Sequence, residues 1–267
     1  MIEIHYKGRL GNNIFQYCLG RIIALRFGYA VKISNGQHLN IMPEIDGKKV
    51  SHPVDLIGNK NHYVIINGDH DRKFVLSGFY QRYEYYKDYK DSIKNWIKLP
   101  SVDIDLPDKD DLVLHVRGGD LWGNKNHPVN EHHTPAPYFY YKQIIENFKG
   151  NNIYIVTEKS DDIVIKKIQD NFNCKVISRS PIEDFIFMMN ASEIALSVST
   201  LSWWAAWLSN AYKVHFPKFG MWHPDTGSDV DLHVDESRYV YHEIGKMNTW
   251  SASEEQKRMI LSDNNEF

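Results

Sequence analysis

At 267 residues, with 42% hydrophobic and 13% aromatic side chains, the chain carries enough apolar material for one large or two modest packed domains and is not a disordered polymer. A formal net charge of -3, from 31 basic and 34 acidic residues, argues against a dedicated nucleic-acid binder, which would carry a basic surplus. Any phosphate site must therefore be local.

The two cysteines, Cys18 and Cys174, stand far apart in apolar surroundings and read as reduced core residues, which fits a reducing, cytoplasmic setting. The chain opens directly on Ile2-Glu3-Ile4-His5-Tyr6, without a basic-then-apolar leader, and has no run of eighteen apolar residues. The expectation is a soluble, unexported protein with no membrane span, peripheral association remaining open.

Ile2 to Tyr6 alternates like a strand and runs into the turn Lys7-Gly8-Arg9-Leu10-Gly11-Asn12-Asn13; Ile14, Cys18, Ile22 and Leu25 then recur at helical spacing, with Gly28 as the stop. Strand, glycine turn and helix together can hold an anion at a helix N-terminus. Gly8-x-x-Gly11 is neither the dinucleotide fingerprint nor a Walker loop, which argues against a redox enzyme and a P-loop NTPase. Ala30 to Ile33 is a second strand. Residues 34 to 72 read as loops around a short strand at Tyr63 to Ile66, and Lys73 to Leu76 is another strand. The aromatic stretch Gly78 to Tyr86 leads into a helix through about Ile97. Pro100 to Asp111 reads as a linker, dividing the chain into lobes 1–108 and 109–245, with a polar surface segment at 246–267.

The second half alternates: a strand from Leu112, a helix from Tyr138, a strand at Ile153 to Val156, a helix at Asp161 to Phe172, and a strand at Cys174 to Ile177. A helix at Ile182 to Asn190 follows, with a strand at Ile194 to Val198, a helix at Thr200 to Leu208 and a strand at Lys213 to Phe216. This rhythm predicts an α/β fold with parallel sheets and right-handed crossovers, in two lobes with a cleft between them.

Two stretches point to chemistry. Leu112 to His115 reads as a buried strand, and His115 and Arg117, two apart, face one way before the Gly118-Gly119 turn. A guanidinium at the carboxyl end of a strand pairs bidentately with phosphate oxygens; a structural ion pair between Arg117 and Asp120 is the other reading. Ser197-Val198-Ser199-Thr200-Leu201-Ser202 places four hydroxyls between a strand and a helix, more than one cap requires, at the kind of strand end where ligands bind. Trp203, Trp204 and Trp207 lie inside that helix and read as core. Tyr80, Tyr83, Tyr85, Tyr86 and Trp122 are either core or sugar-stacking residues.

No metal site is expected from His127, His132 or His133, which lack ligand spacing. Of the D-x-D triplets, Asp103-Ile104-Asp105 and Asp229-Val230-Asp231 read as chance occurrences, while Asp69-His70-Asp71 follows an apolar strand and leaves a metal-dependent site open.

Four ordered motifs resemble glycosyltransferase family 11, which contains the α-1,2-fucosyltransferases. They are Gly8-Arg9-Leu10-Gly11-Asn12-Asn13-x-Phe15-Gln16-Tyr17, Gly78 to Tyr86, His115-Val116-Arg117-x-Gly119-Asp120, and Ser202-Trp203-Trp204-Ala205-Ala206-Trp207-Leu208. The resemblance implies a GT-B-like pair of Rossmann lobes and inverting, metal-independent transfer from GDP-fucose to a hydroxyl of a glycan acceptor, α-1,2 to galactose, with no cofactor. The N-terminal lobe would serve the acceptor, its glycine turn facing the donor, and the C-terminal lobe would bind the GDP-sugar.

By the same resemblance Arg117 meets the β-phosphate, His115 lies near the nucleoside, Asp184 reads guanine, and Ser199 and Thr200 hold phosphate. Gly11 and Asn12 match a donor-lining motif of protein O-fucosyltransferases, and Asn12 is also placed among the catalytic residues. Glu131 occupies the loop position of the catalytic base in core α-1,6-fucosyltransferases, with His132, His133 or Asp120 as alternatives. Gly118 departs from the family, which usually has a second basic residue there. Two other readings fit the chain: a GT-A-like, metal-dependent transferase using Asp69 and Asp71, and a non-catalytic nucleotide-sugar or glycan-binding protein.

Overall fold

The computed structural model describes residues 1–59, 71–123 and 129–267. They form two compact units, Met1–Ser101 with Asp229–Leu232, and Val102–Ser228 with His233–Phe267. The division falls at the start of the expected linker, a few residues before 108. Residues 246–267, read as a separate surface segment, belong to the second unit and bury Trp250 and Ile260.

In the first unit β1 (Ile2–Ile4), β2 (Val31–Ile33), β3 (Val54–Ile57) and β4 (Lys73–Leu76) form a parallel sheet in the order β2-β1-β4-β3. Helix α1 (Leu10–Phe27) follows β1 and stops where expected: Gly28 adopts a left-handed φ of 68°, and its N–H closes on the Ala24 carbonyl. A β-carbon at Gly20 would lie 2.7 Å from Ile4 Cδ1, so a glycine in the helix lets it lie close against the sheet.

Strand β3 falls in the stretch read as loop. Its Val54 and Leu56 are exposed on an edge strand, so the usual apolar-inward alternation is inverted. The strand expected at Tyr63 to Ile66 lies outside the described residues. The helix expected to follow Tyr86 is two 3-10 turns (Tyr83–Tyr85 and Lys87–Tyr89) and then a short α2 (Lys90–Trp96).

In the second unit six parallel strands run β10-β9-β8-β5-β6-β7: β5 (Leu112–His115), β6 (Ile153–Val156), β7 (Lys175–Ile177), β8 (Glu193–Ala195), β9 (Lys213–Lys218) and β10 (Tyr239–Glu243). Chain order reverses beside β5, between it and β8, which defines a switch point at the carboxyl ends of those strands. Helices α3 (Tyr138–Asn147), α4 (Ile163–Asn171), α5 (Pro181–Met189) and α6 (Thr200–Leu208) make the crossovers. The alternating Tyr239-Val240-Tyr241 announces β10, which sequence reading missed.

Helix α6 is buried almost all round. Trp203, Trp204 and Trp207 are solvent-inaccessible, with ring centroids 5.1 to 5.5 Å apart, so they are core as expected. Its end is completed from far along the chain, where Arg238 donates to the carbonyls of Trp207, Ser209 and Ala211. After β10 comes α7 (Glu254–Ile260). No helix among the described residues is long and apolar enough to cross a membrane. Cys18 is fully buried and Cys174 half-buried, both as free thiols.

Candidate active site

The second unit gathers four of the singled-out residues at its switch point. His115 is the last residue of β5, and its Nδ1 lies 2.6 Å from the Ser197 hydroxyl in the turn after β8. Two residues on, Arg117 sends Nη1 to the carbonyl of Val198 in the same turn, at 3.3 Å. Ser199 is the N-cap of α6, yet its side chain makes no capping hydrogen bond, and Thr200 begins the helix. The arrangement is held from below by α3. Tyr141 donates to the His115 carbonyl at 2.9 Å, and the Tyr140 hydroxyl sits on the Leu196 and His215 carbonyls.

Arg117 realises both sequence readings at once. Its Nη2 meets Asp120 Oδ2 at 3.1 Å and His133 Nδ1 at 3.5 Å, so the structural ion pair exists. A guanidinium has five N–H donors. Among the described residues, Nε–H and the second Nη1–H of Arg117 have no partner. Burial, with the Arg117 charge second, pushes the His115 imidazole down to about 3. His115 therefore stays neutral at working pH and offers one donor and one acceptor.

Gly118 has a local cause. A β-carbon there would collide with Asp162 Oδ2. Asp162 is not free to move, because it caps α4 through Val164 N–H at 2.8 Å and accepts the Trp122 indole N–H. The Asp162–Trp122 pair thus occupies the space that a second basic residue would need, and Trp122 is a tether for this turn.

Asp184 sits in the first turns of α5, whose start is set by a capping box between Ser180 and Glu183 with Pro181 at the first position. It is 6% exposed, and one oxygen accepts the backbone N–H of Arg179 at 3.2 Å. Burial pushes its carboxyl up to about 6, against that hydrogen bond. A buried carboxylate with an oxygen to spare suits a planar pair of N–H donors. The Arg179 guanidinium stacks on the Phe187 ring, 5.2 Å from its centroid, with Nη1 buried and unpartnered among the described residues. Sequence reading overlooked Arg179, although its place just before a helix cap at a strand's carboxyl end was a usable signal.

Glu131 is exposed, its carboxylate 3.7 Å from His132 Nε2. In the first unit, Gly11 lies buried in the first turn of α1 and Asn12 beside it accepts from Gln81 Nε2 at 2.8 Å. Gln81 belongs to the Gly78–Tyr86 motif, so the two N-terminal motifs meet through one hydrogen bond. Asn13 and Gln16 fold the glycine turn by bonding Lys7, and Gln16 also reaches the Gly78 carbonyl at 3.0 Å. Tyr80 and Tyr86 are core, while Tyr83, Tyr85 and Trp122 are half-buried.

Asp69 and His70 lie outside the described residues; Asp71 pairs with Lys48 at 2.8 Å. The Asp229–Asp231 triplet is engaged by Arg82, which bonds the Asp229 carbonyl and faces the Asp231 carboxylate. Among the described residues, no three His, Cys, Asp or Glu side chains are grouped to hold a metal.

The parallel α/β unit thus brings a neutral imidazole, an anchored guanidinium and a helix start without a side-chain cap to its switch point, the place where parallel α/β sheets commonly take ligands. Residues 1–223 match Glycosyl transferase family 11, and the chain belongs to that family. An α-1,2-colitosyltransferase of Escherichia coli is 27% identical over 165 residues, an alignment covering 54% of this chain and 54% of that protein. The chain thus matches about half the length of that relative. Among solved structures, the E. coli ADP-heptose LPS heptosyltransferase II aligns over 97% of this chain and 96% of its own, at 13% identity and a TM-score of 0.47.

Proposed function

We propose that the protein is an inverting fucosyltransferase-like enzyme that moves fucose from GDP-fucose to a hydroxyl of a glycan acceptor without a metal, α-1,2 to galactose. The observation that carries this reading is Arg117: anchored by Val198, Asp120 and His133, with N–H donors left over at the start of α6. In the transfer, the acceptor oxygen attacks the anomeric carbon as the bond from that carbon to the β-phosphate oxygen breaks. GDP leaves with the electron pair, and charge growing on its oxygen is met by Arg117 and by the N-terminus of α6 with Ser199 and Thr200. Ionised Asp184 accepts the guanine N–H groups, and His115 bonds near the nucleoside. Glu131 takes the acceptor's proton, which requires its carboxylate within hydrogen-bond reach of that hydroxyl. Gly11 and Asn12 keep their assignment to the donor, Asn12 oriented by Gln81.

The relative named for α-1,2-colitosyl transfer supports the α-1,2 linkage and makes a colitosyl donor the second candidate. The Asp162–Trp122 pair beside Gly118 leaves one cation fewer than the family usually has, which favours testing both sugars. Calorimetric titration with GDP, UDP, CMP and ADP, each with and without EDTA, tests the core of the reading. GDP should bind best and EDTA should leave it unchanged. A preference for UDP, or binding abolished by the chelator, would return the site to Asp69 and Asp71.

A further inference from the structure

The family match ends at residue 223, and Trp250 lies beyond it. Its ring is 1% exposed. The indole N–H donates to the Leu121 carbonyl at 2.6 Å and the backbone N–H donates to the Glu131 carbonyl at 2.8 Å. The ring also meets Trp122 edge-on, with centroids 5.5 Å apart and planes at 71°, and Trp122 in turn holds Asp162 at the start of α4. Trp250 is itself gripped on both sides by one side chain of α7. Gln256 donates to the Thr249 carbonyl at 2.9 Å and accepts the Ser251 N–H at 2.8 Å.

These two carbonyls stand next to the side chains that fix Nη2 of Arg117. Asp120 immediately precedes Leu121, and His133 follows closely after Glu131. The 3-10 turn Gly119–Trp122 carries Asp120, and the bonds across its two ends, Leu121 N–H to the Gly118 carbonyl and Gly123 N–H to the Asp120 carbonyl, are both long at 3.4 Å. Bonds that long restrain little. The 2.6 Å bond from the buried Trp250 indole is much shorter than either, and like the Trp122–Asp162 bond it ties the turn from outside.

We propose that Trp250 is a positioning residue for the donor site. It clamps the backbone on both sides of Arg117's partners and so sets the direction of the guanidinium, with Gln256 holding the clamp. The inference rests on the reading of Arg117 as a diphosphate contact. It adds that a segment outside the family match supports the charge geometry of the site.

The test is a cycle of GDP titrations on the wild type, Trp250→Phe, Arg117→Ala and the double variant, with a melting curve for each. Trp250→Phe keeps a ring and removes the indole donor. It should weaken GDP binding roughly three- to tenfold, the scale of one lost hydrogen bond, and cost nothing further once Arg117 is already alanine. Gln256→Ala, at a half-buried residue outside the apolar core, should weaken binding in the same direction by less, and it carries the test if Trp250→Phe does not fold. GDP affinity unchanged by Trp250→Phe while Arg117→Ala loses it, or equal losses with and without Arg117, would overturn the positioning role and leave the proposed function standing. Wild-type affinity in Arg117→Ala would overturn the diphosphate contact and this inference with it.

Discussion

The six-stranded sheet carries two clusters of buried polar groups, and they are built differently. In one, Glu193 opens β8 and accepts from Lys213 Nζ and His215 Nε2, each at 2.9 Å, and from the Tyr212 hydroxyl at 2.7 Å. His215 Nδ1 lies 2.9 Å from His242 Nε2, so a chain of donors from His242 through His215 to Glu193 satisfies all three groups internally. Burial pushes the Glu193 carboxyl up, but hydrogen bonds from His215, Tyr212 and Lys213 outweigh it and leave it at about 2. Burial, then His215 and Lys213, push His242 down to about 4. In the other, at the carboxyl end, Arg117 keeps donors unspent and Asp184 is pushed up to about 6 because burial is not fully compensated. A closed polar cluster stabilises; an open one is held ready at some cost to stability. The difference separates the structural cluster from the candidate site, though both contain histidine, carboxylate and cation.

The comparison can be broken most sharply at Arg117. Arg117→Ala should lower turnover of the cognate sugar nucleotide by about 3 kcal/mol of transition-state stabilisation, on the order of a hundredfold in kcat, with the melting temperature nearly unchanged. A large loss of stability with normal turnover would make Arg117 a structural residue like Glu193.

In the closed cluster, Glu193→Ala strips His215 and Lys213 of their shared partner and should destabilise the fold by about 3 kcal/mol in urea titration, with the surviving folded protein binding GDP normally. The wild type carries the pH counterpart. A carboxyl depressed below its ordinary value contributes stability that is full above about 4.5 and lost as the pH falls toward 2. That acid-side slope should be absent from Glu193→Ala.

The smallest effect is expected from pH at Asp184. Its raised pKa means that ionised Asp184 costs the unliganded fold stability as pH rises from 3.8 to about 6, a cost that guanine donors would offset. GDP affinity should therefore decline as pH falls from 7 to 5, by severalfold, and the decline should vanish in Asp184→Asn. A pH-independent wild-type affinity would remove Asp184 from base recognition.

Much of this was legible in the chain because local pattern and global fold agree. Leu112 to His115 is apolar and uninterrupted, as a strand buried on both faces must be, and Gly28 marks the end of α1 because a left-handed residue closes it. The hydroxyl run from Ser197 to Ser202 was legible as the turn between a strand and a helix, although Ser197's pairing with His115 is a tertiary fact that no spacing encodes. Strand β3 was hidden because edge exposure inverts its pattern. The importance of Gln81 was hidden because it is polar and acts through one bond to Asn12. Residues after Gly245 looked like a featureless surface since Trp250 is a single aromatic among polar neighbours, and only the fold shows it buried against the turn after β5.

The closure of α6 has a further consequence, for synthesis. The helix leaves the ribosome with a tryptophan-rich surface on nearly every side, while the Arg238 guanidinium that completes its end, and Glu236 that accepts the Trp207 indole N–H at 3.1 Å, are translated about thirty residues later. Until those residues arrive, the last carbonyls of α6 and the Trp207 indole lack the partners that the finished fold gives them. A fragment cut where the family match ends would leave the end of this helix without them.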